Sequence, residues 1–235
     1  MTGWSEVIAN SAMVFIDDVR LEEKLKISPA QFFREMSLLV SRGLPLLGRP
    51  PKLYEYITKD IVYPTFADYS WTSTGDSLTE ETVVDTGCVG YDLCSVCVRE
   101  VNEFGEVDLF PYSEAVYDSE TGEVTFPEQD SEGIDYEIDF YKDGEFQTLT
   151  PHMIRFIGRA TAIVWDERFE RNWLNITPKT KDDSFQTINE SNYIEKNSER
   201  LERNTNALNA ELKKYEQDVA YRDIVSKNVQ NKKLF

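Results

Sequence analysis

The chain has 235 residues and a mass of 27.2 kDa, enough to bury one large or two modest hydrophobic cores. Lysine and arginine number 25 against 43 aspartates and glutamates, a formal net charge of −18, which argues against an outer surface that holds nucleic acid nonspecifically or rests on anionic lipid. No apolar run approaches the roughly 18 residues of a membrane span, the N-terminus lacks a signal-peptide layout, and three cysteines fit a reducing compartment better than a disulfide framework.

The first segment reads as helix, because Trp4, Val7, Ile8, Met13, Phe15 and Ile16 recur at helical spacing. A second helix start is spelled at Ser28, Pro29 and Gln31: serine to cap, proline for the first position, glutamine to complete a capping box. Phe32, Phe33, Met36, Leu39 and Val40 follow, and Gly43 is placed to end the helix. Leu44 to Pro51 carries three prolines and a glycine and predicts a bare connection.

From about Tyr63 to Phe146 the helical period disappears. Short runs rich in valine, tyrosine and phenylalanine predict strands at 94–101, 107–110, 115–117, 124–126 and 136–141. Ala115 to Phe126 is the best hairpin candidate, with Asp118 and Gly122 as turn residues. Helix returns at Thr150 and Pro151, with Ile154, Ile157, Thr161, Val164, Trp165, Arg168, Phe169 and Trp173 as its stripe. After a polar link, Thr187 and Glu190 spell another capping box, and a helix of about 34 residues, roughly 50 Å long, is predicted beyond it.

That last helix has one narrow apolar seam. Ile194, Leu201, Leu208 and Tyr215 are spaced by seven, and Thr205, Leu212 and Val219 fill the alternate positions. Leu201, Leu208, Leu212, Tyr215 and Val219 are therefore the candidate packing residues, against the chain's own base or a neighbouring subunit. The tail from about Ser226 is polar and basic, and is expected to be disordered until a partner orders it.

Charge divides the chain more sharply than any motif. Between Asp76 and Glu145 there are 21 acids and two bases (Arg99 and Lys142), or −19, so the remainder, with 22 acids and 23 bases, sums to +1. The same acidity would also serve merely to keep a β module soluble. Period, charge and glycine–proline frequency change together, which predicts an α+β fold. A helical bundle-like base with a long C-terminal helix (1–62 and 147–235) would carry an inserted acidic antiparallel β domain (63–146).

Catalytic chemistry has little to stand on. His152 is the sole histidine and falls in a predicted first helical turn. Cys94 and Cys97 have metal or redox spacing but lie on a predicted strand, where residues three apart face opposite ways; two small buried residues is the favoured reading. Asp118 to Gly122 reads as a turn rather than a calcium loop, and no glycine-rich phosphate loop occurs. The chain is expected not to be an enzyme, with no cofactor and no metal.

Two N-terminal helices, an acidic β insertion, a helix from Thr150 to Phe169 and a long polar helix with a lysine-bearing tail together resemble the head-to-tail connectors of tailed bacteriophages. The strings that carry the likeness are Tyr117 to Phe126, Asp139 to Phe146 and Leu149 to Arg168. The large β insertion departs from the shorter all-helical members. The resemblance implies a structural virion protein of the neck, made in the host cytoplasm. It would form a homo-oligomeric ring, commonly of twelve copies, beneath the portal protein and against tail and neck proteins, with genome DNA passing without specific binding. In such connectors the C-terminal segment grips the portal, and Lys232, Lys233, Leu234 and Phe235 occupy that position here. The alternative is a non-enzymatic binding module that recognises a basic protein or a carbohydrate through its acidic β domain.

Overall fold

A computed structural model describes residues 1–16, 19–74, 80–128, 131–176 and 187–232. A two-residue strand, β1 (Thr2–Gly3), leads into a helix built of α1 (Trp4–Val7), a π-helical stretch (Ile8–Ala12) and α2 (Met13–Phe15). Of the residues the spacing names, Trp4, Val7, Ile8 and Ile16 are buried and Met13 and Phe15 partly so, while Ala12, which it did not name, is buried as well. Next come α3 (Val19–Ile27), α4 (Pro29–Gly43), a 3-10 turn (Leu44–Leu47) and α5 (Pro51–Thr58). Neither α3 nor α5 was signalled: α3 is mostly charged, and α5 hides in the proline-rich connection, where Pro51 serves as a first helical residue and Leu53 and Ile57 are buried one turn apart.

The signalled start of α4 is correct, but its cap is not. Ser28 sits at φ −143°, ψ 80° and makes no side-chain cap, although its carbonyl accepts the first intrahelical bond, from the Phe32 N–H at 3.0 Å. Gly43 ends α4 in helical conformation, and its lack of a side chain serves packing. A Cβ there would lie 3.0 Å from the Ala160 backbone.

Two antiparallel sheets follow. β2 (Thr65–Thr72), β4 (Asp92–Val101), β5 (Val107–Pro111) and β8 (Asp135–Lys142) form one in the order β2-β8-β4-β5. β3 (Thr82–Asp85), β6 (Val116–Asp118) and β7 (Glu123–Phe126) form the other, in the order β3-β7-β6. β6 and β7 are the anticipated hairpin, with Gly122 at φ +78°. Val84, Val124 and Phe126 from one sheet meet Val96, Tyr136, Ile138 and Phe140 from the other in a single β core. The Trp71 and Phe126 rings meet there at a tilt of 31°, 4.3 Å between centroids.

The helical core is separate and centres on α6 (Pro151–Ile176). The Thr150 hydroxyl caps it by accepting the Met153 N–H at 3.4 Å. From Met153 to Asp166 nearly every turn is buried on most sides, far more than the stripe suggests, because α4, the π-helical stretch and α7 (Thr187–Lys232) all pack on it. α7 has 46 residues, so at 1.5 Å each it spans about 69 Å and exceeds the anticipated 34 residues. It runs helically through Ser226 to Lys232, where a disordered tail was expected, since no glycine or proline interrupts it.

The junction between the cores lies close to the anticipated boundary but not on it. Phe146 belongs to the helical core and stacks on Trp4 at 4.7 Å, while its strand, β9 (Glu145–Phe146), pairs with β1. Trp4 Nε1 donates to the Val62 carbonyl at 2.9 Å, and the Ser5 hydroxyl donates to Asp143 at 2.6 Å. Phe33 of α4 stacks on Tyr141 of β8 at 4.8 Å.

Candidate functional site

α7 is held to α6 by the residues that its heptad spacing singles out. Leu208 and Leu212 are 2% and 5% exposed, Leu201 and Tyr215 pack partly buried on the same core, and the Tyr215 ring meets Phe156 edge-on at 5.6 Å. Val219 departs from the expectation: it is 36% exposed at the rim of an open groove of about 510 Å³ that His152, Phe156 and Arg222 also line. One turn beyond Tyr215 the seam opens into this groove, so Val219 lines it beside His152 and Phe156 without being closed over.

The polar flank of the seam was not signalled. The Asp166 side chain is 3% exposed and accepts hydrogen bonds from Arg200 and, at 3.0 Å, from Asn204. Arg155 and Arg159 converge on Glu211 at 2.7 and 3.2 Å. Asn204 and Glu211, seven residues apart beside the apolar stripe, are the trace that sequence carries of this flank. A buried carboxylate paired in this manner is costly to orphan, so these contacts fix which turn of α7 lies over which turn of α6. On the other side of α6, Glu35 receives both Lys24 and Arg168. Burial alone would raise its carboxyl, but those hydrogen bonds and charges outweigh it and hold Glu35 below its ordinary value.

α7 reaches Lys232, whose side chain, like Lys233, Leu234 and Phe235, lies outside the described residues.

The other notable surface is the acidic face of the four-stranded sheet. Asp68 of β2 lies opposite Asp139 of β8, which lies opposite Ser95 of β4; the next row is Ser70, Glu137 and Cys97. The start of α4 roofs this face, leaving a cleft of about 470 Å³ that includes Gln31 and Arg34. Arg34 pairs with Asp68 at 2.8 Å, and Ser95 donates to Asp139 at 3.0 Å. Burial raises the Asp139 carboxyl; the Ser95 hydrogen bond opposes this and the charge of Asp68 adds to it. The cleft offers carboxylates held close together, with one arginine partly offsetting them.

The cysteines behave as small packing residues. All three are free, and a bulge between Leu93 and Ser95 leaves Cys94 half-buried. Burial, then the charges of Asp139 and Asp92, push its thiol up to about 12, and Cys97 is also raised, chiefly by burial. Thiols held in this way stay protonated at neutral pH and make poor nucleophiles or ligands. Asp118 to Gly122 forms a turn, in which Asp118 Oδ1 accepts the Glu120 N–H at 2.8 Å. His152 is exposed in the first turn of α6, and among the described residues no three of His, Cys, Asp and Glu converge as metal ligands. No family model matches this chain, and comparison with curated proteins and with solved structures returns no significant similarity.

Proposed function

We propose that this chain is a structural subunit of a bacteriophage head-to-tail connector, assembling as a ring beneath a portal and around the path of the DNA. The observation that carries this proposal is the division of charge between the two cores. The segment from Asp76 to Glu145, which supplies most of the β unit, carries −19, and everything else sums to +1. A wall that repels phosphate gains nothing from counterion release, so a duplex slides past it without sticking. α7 adds a means of reaching a neighbour. Among the described residues, the last of α7 packed on the helical core is Tyr215, and the stretch from Glu216 to Lys232 is about 25 Å of further helix. Lys232, Lys233, Leu234 and Phe235 follow on from it and are the proposed portal contacts.

The test is to mix the purified full chain with portal rings of the same virus and image the product by electron microscopy. Added ring density on the tail-facing side of the portal is expected, and truncation after Val225 should abolish it while leaving the melting temperature of the free protein unchanged. A full chain that leaves portal rings bare overturns the proposal. Attachment by the truncated chain as tight as by the full one moves the docking surface from the tail to the helical base.

A further inference from the structure

Exposed apolar side chains in the β unit concentrate on the hairpin of β4 and β5. Val101, Phe104, Val107, Leu109 and Phe110 are 60%, 89%, 47%, 44% and 50% exposed. An ordered turn holds the tip outward: Asn102 Oδ1 accepts the N–H groups of Phe104 and Glu106 at 3.0 and 2.9 Å, and Gly105 takes φ +80°. Among the described residues β5 is also the edge of its sheet, paired with β4 alone. The Asn102 N–H donates to Glu106 and the Tyr112 N–H to Val96, so in the alternation of an antiparallel ladder the even-numbered residues of β5 bond to β4. The N–H and C=O groups of Val107 and Leu109 therefore face outward from the sheet edge, until Pro111, which has no N–H, ends the row.

We propose that this edge takes up an extended segment of a partner protein, alternating apolar and basic residues, as a fifth strand of the sheet. Charge identifies the occupant. Glu100, Glu103, Glu106 and Asp108 surround the edge, and among the described residues the nearby cations are engaged elsewhere, Arg99 with Glu137 at 3.4 Å and Arg34 with Asp68 at 2.8 Å. A second copy of this chain would bring the same four acids against them, whereas a basic strand is attracted to them. Side chains alternate along β5, so an incoming strand places apolar residues opposite Val107 and Leu109 and a basic one opposite Asp108. The inference does not depend on the connector proposal, since it concerns a different surface from the tail.

The experiment is amide hydrogen exchange, read by NMR, on the full chain titrated with a short blocked peptide of alternating valine and lysine. Protection of the Val107 and Leu109 amides should rise about tenfold or more on saturation. Leu109→Pro, which removes an outward N–H and no bond to β4, should abolish binding. Asp108→Lys should weaken binding about tenfold, and it serves as the second variant should Leu109→Pro disturb β5. The same peptide with its central valine replaced by proline, which keeps the charge, must fail; if it binds equally, the attraction is only one of charge and the proposal falls. Protection of the same two amides that rises with protein concentration, without peptide, makes a second copy the occupant and also overturns it.

Discussion

Leu208→Ala removes the most buried described apolar side chain of α7, one that is 2% exposed and set between α6 and the rest of the helical core. Truncating a buried leucine to alanine costs about 2–5 kcal/mol, the transfer term plus the cavity left behind. Leu208 lies mid-seam, between Leu201 and Leu212, where α7 is also pinned by Arg200 and Glu211, so the helix cannot slide to fill the gap. A cost of about 3 kcal/mol follows, and for a chain of this size that lowers the melting temperature by roughly 6–12 °C. Val219→Asp is the internal control: Val219 is 36% exposed, and its replacement should stay within about 0.5 kcal/mol. The assay is thermal and urea unfolding followed by circular dichroism at two protein concentrations well apart. Because the seam closes within one chain, the Leu208→Ala shift should be independent of concentration. A loss below about 1 kcal/mol, or an equal loss for Val219→Asp, would refute the packing of α7 described above.

Gly158→Ala in α6 would stabilise an ordinary helix by up to about 1 kcal/mol, yet here the new Cβ would fall 2.5 Å from Ser11 Cβ. A net destabilisation of about 1–3 kcal/mol is expected in urea titration, and a stabilised variant would show that the crossing is looser than described. Arg200→Met strands the buried Asp166 carboxylate with Asn204 as its remaining described hydrogen-bond donor and should cost about 3 kcal/mol, whereas a double variant with Asp166→Leu should recover much of it, as a double-mutant cycle would show. Asp139→Asn should raise the melting temperature at neutral pH, because the folded state holds this carboxyl above its ordinary value of 3.8 and so disfavours its charge. Its gain should be full above the raised value and fade as the pH falls through it and below 3.8, where the wild-type group becomes protonated in both states; a gain that grows on acidification contradicts the assignment.

Periodicity and breakers were enough to mark the α+β fold, the starts of α4 and α6, the β6–β7 hairpin and the seam residues Leu201, Leu208, Leu212 and Tyr215. These are features in which a local cause, such as Pro29, Pro151, Gly122 or a seven-residue spacing, suffices by itself. Other features required the folded neighbours. β2 went unsignalled although Ala67, Tyr69 and Trp71 alternate with Asp68, Ser70 and Thr72, and it is the pairing with β8 that sets those three on the β core; α5 forms in a proline-rich stretch because Leu53 and Ile57 find the helical core. The Ser28 side-chain cap does not form because the residue takes φ −143°, ψ 80°, away from the usual N-cap conformation, and that backbone setting is decided by how α3 leads into α4. Which carboxylate is buried, Asp166 or any other of the 43 acids, depends on which side chain α7 covers, and no single-chain pattern records that. The acid count was plain from composition, but only the strand register sets Asp68 against Asp139 and leaves the backbone of Val107 and Leu109 open at an edge. Register and burial are relations between segments far apart in the chain, and the forces that settle them act only once those segments meet.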